Sequence, residues 1–365
     1  MIYLDNGATS FPKPASVRQA VLDTLLHCAN PGRGGYPAAM AAARAVYTCR
    51  AAAGELFGCD PERVVLTSNC THGLNIAIRT LVKPGDRVVI SGFEHNAVTR
   101  PLYALGAKVT VAGRQLFDWD DQLAQFEKAL RSGVDAAVFT HVSNVFGYIL
   151  PVEQMAALCH RYAVPFVVDA AQSAGAMEVN LSKWRADFVA MPGHKGLLGP
   201  QGTGLLLCGR QPLPLLYGGT GGQSQLKSMP EDLPERLEAG TVNVPGAAGL
   251  AAGLRLVKRE GVDRIGMREQ QAAAVAAAGL RKLGLRVFSG PHQAGTVSFV
   301  ARGDCEELAQ KLGEKGIAVR AGLHCAPLAH ESAGTLDTGT VRVSFGHRAT
   351  VDQAKIFLQE MAALF

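Results

Sequence analysis

Two residues far apart in the chain have settings that suit covalent chemistry. Lys195 lies in Met191-Pro192-Gly193-His194-Lys195-Gly196-Leu197-Leu198-Gly199-Pro200-Gln201-Gly202-Thr203-Gly204, downstream of an apolar strand that ends in Asp169. A lysine among glycines in that position can hold an aldehyde cofactor as a Schiff base. Cys325 lies in Val319-Arg320-Ala321-Gly322-Leu323-His324-Cys325-Ala326-Pro327. It sits beside His324, between Arg320 and a second candidate anion binder, Arg342. A loop between Gly322 and Pro327 favours exposure and thiolate character. Together the two sites point to pyridoxal phosphate chemistry on a sulfur-bearing amino acid.

Each further candidate has a plain alternative. Asp169 can be a helix cap for Ala170-Ala171-Gln172, or the carboxylate that keeps a pyridine nitrogen protonated so that the ring draws electrons from a carbanion. His95, in Glu94-His95-Asn96-Ala97, can be a core histidine, or it can stack on a cofactor ring and shuttle protons near neutral pH. Gly218-Gly219-Thr220-Gly221-Gly222 can be a flexible loop or a backbone nest for an anion. It is no dinucleotide fingerprint, because no βαβ unit with an acidic partner surrounds it. Glu238-Ala239-Gly240-Thr241-Val242-Asn243 can be a simple turn.

The elements that must position these residues alternate in type. Residues 37–57 read as a helix ended by Gly58, and 64–67 as a strand. The strand is followed by Ser68-Asn69-Cys70-Thr71-His72-Gly73 and a helical Leu74–Ile78, which makes a natural phosphate cradle. Strands are predicted at 87–91, 108–111, 136–140, 164–169 and 188–191, with helices at 120–130 and 152–162. This order implies a mostly parallel sheet covered on both faces, with ligands at the carboxyl ends of its strands. Thr71, His95, Asn144, Asp169 and Lys195 all fall at or after such ends. Helices at 244–260 and 268–283 lead to an α+β unit with strands at 296–300, 317–320 and 341–344 and a helix at 305–315. We expect a large domain over 15–254 and a small one from 1–14 with 255–365.

Composition narrows the class. The 365 residues are 48% hydrophobic and 18% charged, the profile of a compact enzyme rather than a disordered chain. The formal charge of +5 is dispersed, with no basic run of the kind that binds nucleic acid. We read no signal peptide and no membrane span. The eight cysteines form no CxxC pair, so reduced thiols in a cytoplasmic protein, with no structural zinc or other metal, are expected.

The chain resembles the cysteine desulfurase family, the class V branch of fold-type-I pyridoxal phosphate enzymes. The resemblance spans nearly the whole length and rests on ordered motifs. These are Tyr3-Leu4-Asp5-Asn6-Gly7-Ala8-Thr9, Glu94-His95-Asn96, His141-Val142-Ser143-Asn144, Asp169-Ala170-Ala171-Gln172, Gly193-His194-Lys195 with Gly199-Pro200-Gln201-Gly202, Glu238 to Asn243, and Arg320 to Ala326. The resemblance implies an α/β fold of the fold-type-I transferase kind: a large domain with a mostly parallel, seven-stranded sheet and a smaller α+β C-terminal domain. It implies that Lys195 carries pyridoxal 5'-phosphate, His95 stacks on its ring, Asp169 pairs with its nitrogen and Gln172 hydrogen-bonds its phenolic oxygen. Cys70, Thr71 and His194 would face the phosphate. Thr241, with Thr220, would reach it from the other subunit of a homodimer. Asn144 and Arg342 would hold the substrate carboxylate, with Ala8 and Arg320 also at the substrate, and Cys325 would attack sulfur.

The implied reaction turns L-cysteine into L-alanine and leaves a persulfide on Cys325 for an unidentified acceptor protein. The short Arg-Ala-Gly-Leu-His-Cys segment is similar to the subgroup with a compact cysteine loop, which includes selenocysteine lyase-like members. Selenocysteine lyase activity is therefore the nearest alternative. An aminotransferase or epimerase, or a sulfur-relay protein on the same fold, lies further off. The chain departs from the family pattern at Pro192, where Ser or Thr is common, at Asn69-Cys70, at His72, and at Phe345-Gly346-His347 in place of Tyr-Asn-Thr.

Overall fold

The structure is a computed structural model that describes residues 1–32 and 34–364. In chain order the first elements are β1 (Ile2–Tyr3), α1 (Ala15–His27), α2 (Pro37–Phe57), β2 (Val64–Thr67), α3 (Cys70–Leu81), β3 (Arg87–Ser91), α4 (Asn96–Ala104), β4 (Lys108–Ala112), α5 (Trp119–Arg131), β5 (Ala136–Thr140), α6 (Val152–Arg161), β6 (Phe166–Asp169), α7 (Leu181–Trp184), β7 (Phe188–Pro192) and β8 (Gly204–Cys208). Then follow α8 (Val244–Glu260), α9 (Val262–Lys282), β9 (Arg286–Phe288), β10 (Thr296–Val300), α10 (Cys305–Glu314), β11 (Ile317–Ala318), β12 (Arg320–Gly322), α11 (Pro327–Ala333), β13 (Thr340–Ser344) and α12 (Val351–Ala362).

The expected large sheet has seven strands in the order β2-β8-β7-β6-β5-β3-β4. The pairings from β7 through β6, β5 and β3 to β4 are parallel, whereas β8 runs antiparallel to both β2 and β7. Every residue of β5, β7 and β8 is buried, as a sheet covered on both faces requires. On one face α2 buries Ala42, Val46, Cys49, Ala53 and Phe57, spaced three and four residues apart along one stripe. Burying a Val or Phe side chain of this kind stabilises by about 1.5–3 kcal/mol. The helix stops where predicted. Gly58 takes φ 60°, and a Cβ there would overlap Asn180 Oδ1, so both conformation and space call for glycine.

The C-terminal part builds a four-stranded antiparallel sheet, β12-β13-β10-β9. β1 pairs in parallel with β11, so the N-terminal segment lies against the C-terminal part. The expected domain edge at 254/255 falls inside α8. That helix packs on α1 and α2, while α9, beyond Gly261, packs on α12, β9 and β10 as well as on α8. α8 comes close to the Lys195 loop through Gly253, where a Cβ would overlap the Leu197 carbonyl.

Candidate active site

The carboxyl ends of the parallel strands deliver the candidate residues to one place. β6 ends in Asp169, β7 leads through Pro192 to Lys195, the turn after β3 carries His95, and the loop after β5 carries Asn144. β12 and β13 add Arg320 and Arg342, and the segment between β12 and α11 adds Cys325. A cavity of about 300 Å³ is lined by Ala8, Cys70, Thr71, His95, Asn144, Asp169, Gln172, His194, Lys195, Arg320, Cys325 and Arg342, among others. Thr220 and Thr241 do not line it. They face a separate groove with Arg50 and Glu238.

Burial governs the electrostatics. Asp169 is 2% exposed, and desolvation raises its pKa, opposed by the Ala171 N–H (2.9 Å), by Lys195 and by Cys70. No helix directly follows Asp169, so the carboxylate caps a turn rather than a helix and is a cavity group at once. Desolvation lowers the pKa of Lys195, and Arg342 adds to this while Asp169 opposes it. Cys70 Sγ lies 3.5 Å from Asp169 Oδ1, and burial, then the carboxylate, push its thiol well up. Cys70 thus leans on the carboxylate.

His95 caps α4. Its Nδ1 accepts from the Ala97 N–H at 3.0 Å, which leaves the proton of the neutral ring on Nε2. Burial, then Lys195, pull its pKa down to about 4, so the ring stays neutral at pH 7 rather than titrating there. Glu94 is fully buried and pushed up to about 8 by desolvation. Its Oε1 accepts from Ser91 and from the Thr140 N–H (3.0 Å), while Oε2 has no partner. His194 offers Nδ1 to Thr9 Oγ1 at 3.1 Å, and its carbonyl accepts from Thr9, Ser10 and Lys13. The N-terminal segment thereby grips the residue next to Lys195.

The cysteine loop is strained. His324 and Cys325 both take positive φ, 50° and 56°. A non-glycine residue in this region costs about 1–2 kcal/mol. Three hydrogen bonds hold the turn: Asn144 Nδ2 to the His324 carbonyl (2.7 Å), the Asn96 N–H to the Cys325 carbonyl (2.8 Å), and the Ala326 N–H to the Leu323 carbonyl (2.9 Å). Cys325 is exposed, while the other seven cysteines are buried or partly buried. His324 does not activate it. Its Nε2 faces the Thr340 carbonyl (3.1 Å), and burial, then Arg342, hold the ring neutral with a pKa of about 2.

One residue behind the cavity wall had no assigned role in the sequence. Asp5 accepts from Arg342 Nη2 at 2.9 Å and from Arg320 Nη2 at 2.8 Å, and it is 8% exposed. Its signal was its place in the Tyr3–Thr9 motif, but the pairing depends on strand register between the chain's two ends. Arg342 also donates to the Asn144 carbonyl at 3.0 Å. Arg342 Nε and Asn144 Oδ1 remain buried without a partner, a donor and an acceptor ready for a bound ligand.

A cavity of this size with a part-buried amine, a buried carboxylate, a neutral imidazole and the N-terminal turn of α3 suits an aromatic aldehyde phosphate. The comparisons with known proteins agree with that architecture. Residues 2–357 match the family model described as aminotransferase class-V, and the chain belongs to that family. Within it, its relatives are cysteine desulfurases. A probable cysteine desulfurase of Pyrococcus abyssi is 34% identical, across 98% of this chain and 92% of the relative. One from Methanothermobacter thermautotrophicus is 32% identical, across 100% and 95%. The apo structure of a cysteine desulfurase from Thermococcus onnurineus superimposes with a TM-score of 0.91 at 33% identity, covering 100% of this chain and 94% of that one. No helix among the described residues is long and apolar enough to cross a membrane.

Proposed function

We propose that the protein is a pyridoxal 5'-phosphate-dependent cysteine desulfurase that converts L-cysteine to L-alanine and takes the sulfur onto Cys325 as a persulfide. The observation that carries this reading is a single cavity joining the part-buried Lys195 and the buried Asp169 to the exposed thiol of Cys325.

Lys195, Asp169, His95 and Gln172 would hold the cofactor ring, and Thr71, Cys70 and His194 its phosphate. When bound, the cofactor stabilises the electron pair left at the substrate α-carbon. Arg342 would hold the α-carboxylate through its free Nε–H, and Asn144 would add the second hydrogen of its Nδ2, since its unpartnered Oδ1 can only accept. Lys195 Nζ moves the α-proton, and its lowered pKa keeps more of the amine neutral and able to do so. The Cys325 thiolate attacks the substrate sulfur. An S–S bond forms as the Cβ–S bond breaks, the electron pair stays on carbon, and Cβ takes a proton to give alanine. The sulfur is thereby oxidised and the β-carbon reduced, with no external oxidant. Neutral His95 offers Nε2–H as a hydrogen-bond donor in the cavity.

In a homodimer, Thr220 and Thr241 would reach the partner's cavity. The exposed Leu22, Leu25 and Leu26 on α1, with Tyr36 and Met40 at the start of α2, are apolar surface that a partner subunit could cover. The persulfide would pass to an acceptor protein, and an exposed nucleophilic thiol suits a reducing cytoplasm.

The test is alanine and sulfide release from L-cysteine with a reductant, by wild type and Cys325→Ala, with selenocysteine as a parallel substrate. Loss of cysteine turnover by at least about a hundredfold in the variant is expected. A variant as active as wild type removes Cys325 from the mechanism, and turnover of selenocysteine alone makes the protein a lyase.

A further inference from the structure

We propose that Asp5 sets the net charge of the carboxylate-binding end of the cavity and so selects amino acids that carry a single anionic group. This rests on the amino-acid substrate proposed above. Arg320 and Arg342 are register partners across β12 and β13. Like charges directly opposite on a sheet repel, so the pair needs an anion between them. Asp5 supplies it. Its Oδ1 takes Arg342 Nη2 (2.9 Å) and Arg320 Nε (3.2 Å), and its Oδ2 takes Arg320 Nε (3.0 Å) and Nη2 (2.8 Å). Among the described residues, neither arginine has an ion pair with any other carboxylate.

The placement is built rather than incidental. Asp5 forms a parallel bridge with Ser344, on the strand that carries Arg342. The Ser344 N–H donates to the Leu4 carbonyl (2.7 Å) and the Asn6 N–H to the Ser344 carbonyl (3.2 Å). Gly7 keeps the segment close, since a Cβ there would sit 3.2 Å from Arg342 Cζ.

Two guanidinium groups and one carboxylate leave one positive charge, which matches one α-carboxylate. Arg342 still has an unpartnered Nε with which to bind it. Arg320 lies near enough to Cys325 to interact with it electrostatically. The charge that Asp5 cancels is therefore on the side where a substrate β-substituent meets the thiol. A second anionic group there finds no counter-charge. Both arginines line the cavity and Asp5 does not, so it acts through them, as a positioning residue.

The test is the dissociation constants of L-alanine and L-aspartate for the holoenzyme, measured by calorimetry. Wild type is expected to favour alanine. Asp5→Asn is expected to shift the ratio toward aspartate by about tenfold, a moderate effect for one unit of charge at short range. Arg320→Gln, the gentler change because Asp5 keeps Arg342, is expected to shift it the other way. The double variant Asp5→Asn/Arg320→Gln is expected to return it to within about threefold of wild type, because the net charge is again one. Equal weakening for both ligands in Asp5→Asn, or additive damage in the double variant, overturns the proposal and leaves the desulfurase reading standing. If Asp5→Asn does not fold, an unchanged ratio in Arg320→Gln overturns it. If wild type binds neither amino acid, the desulfurase reading itself falls and takes this proposal with it.

Discussion

Removing either partner of the Arg50–Glu238 pair alone is expected to cost about as much as removing both together, so the two losses do not add. Arg50 projects from α2 and grips Glu238 with two hydrogen bonds, Nη1 to Oε1 at 2.8 Å and Nη2 to Oε2 at 2.6 Å. Arg50 Nη1 also donates to the Val64 carbonyl (2.8 Å), and Glu238 Oε1 accepts from the Leu66 N–H (2.7 Å). Both side chains are 8% exposed, so solvent screens the pair little. Arg50→Met leaves the carboxylate with only the Leu66 donor, and removing one partner of such a buried pair costs about 3–5 kcal/mol. Glu238→Leu should cost a similar amount. In the double variant Arg50→Met/Glu238→Leu no buried charge remains, while the Val64 carbonyl and the Leu66 N–H lose their partners at about 1–3 kcal/mol each. The double variant should therefore be more stable than the sum of the singles predicts, by about 3 kcal/mol. Urea unfolding of all four proteins at one fixed concentration measures this. A loss under about 1 kcal/mol in Arg50→Met, or strict additivity, refutes the reasoning.

Two further outcomes follow from the site. Glu94 has a folded pKa of about 8, raised above its ordinary value by burial, so the folded protein binds a proton that the unfolded chain has released. Its contribution to stability is full below pH ~4.5 and is lost as pH rises through about 8. Glu94→Gln should flatten the decline of stability over that window and be no less stable than wild type at pH 8, as denaturation at several pH values would reveal. Cys325→Gly should be inactive yet more stable than Cys325→Ala by about 1 kcal/mol, because glycine adopts the left-handed backbone without strain. Equal melting midpoints for the two variants would show that the loop stores no such strain.

Much of the fold was legible because it is written in local patterns. The stripe of α2 and its glycine stop, the apolar runs of β3, β5 and β7, and the span of α8 lie where hydrophobic periodicity predicts them. β8 was overlooked because Leu205-Leu206-Leu207 follows a glycine-rich stretch already read as the Lys195 loop. α4 was hidden by its internal Pro101. The candidate site was legible as a set of residue types, and the cavity gathers most of them. What local pattern could not reveal is orientation. That the His324 ring turns to Thr340 rather than to Cys325, and that Asp5 lies between two arginines, depends on pairings between segments remote in sequence.

The bond from Arg342 to Asp5 spans 337 positions of the chain. Contacts of such long range form late, because the loop they close must first be ordered. During synthesis from the N-terminus the lysine loop, the histidine of α4 and the carboxylate of β6 all emerge well before β13. The segment that steadies Lys195 and the anion site stays unanchored on that side until β13 arrives. The anion site is thus completed only once both ends of the chain have been made and brought together.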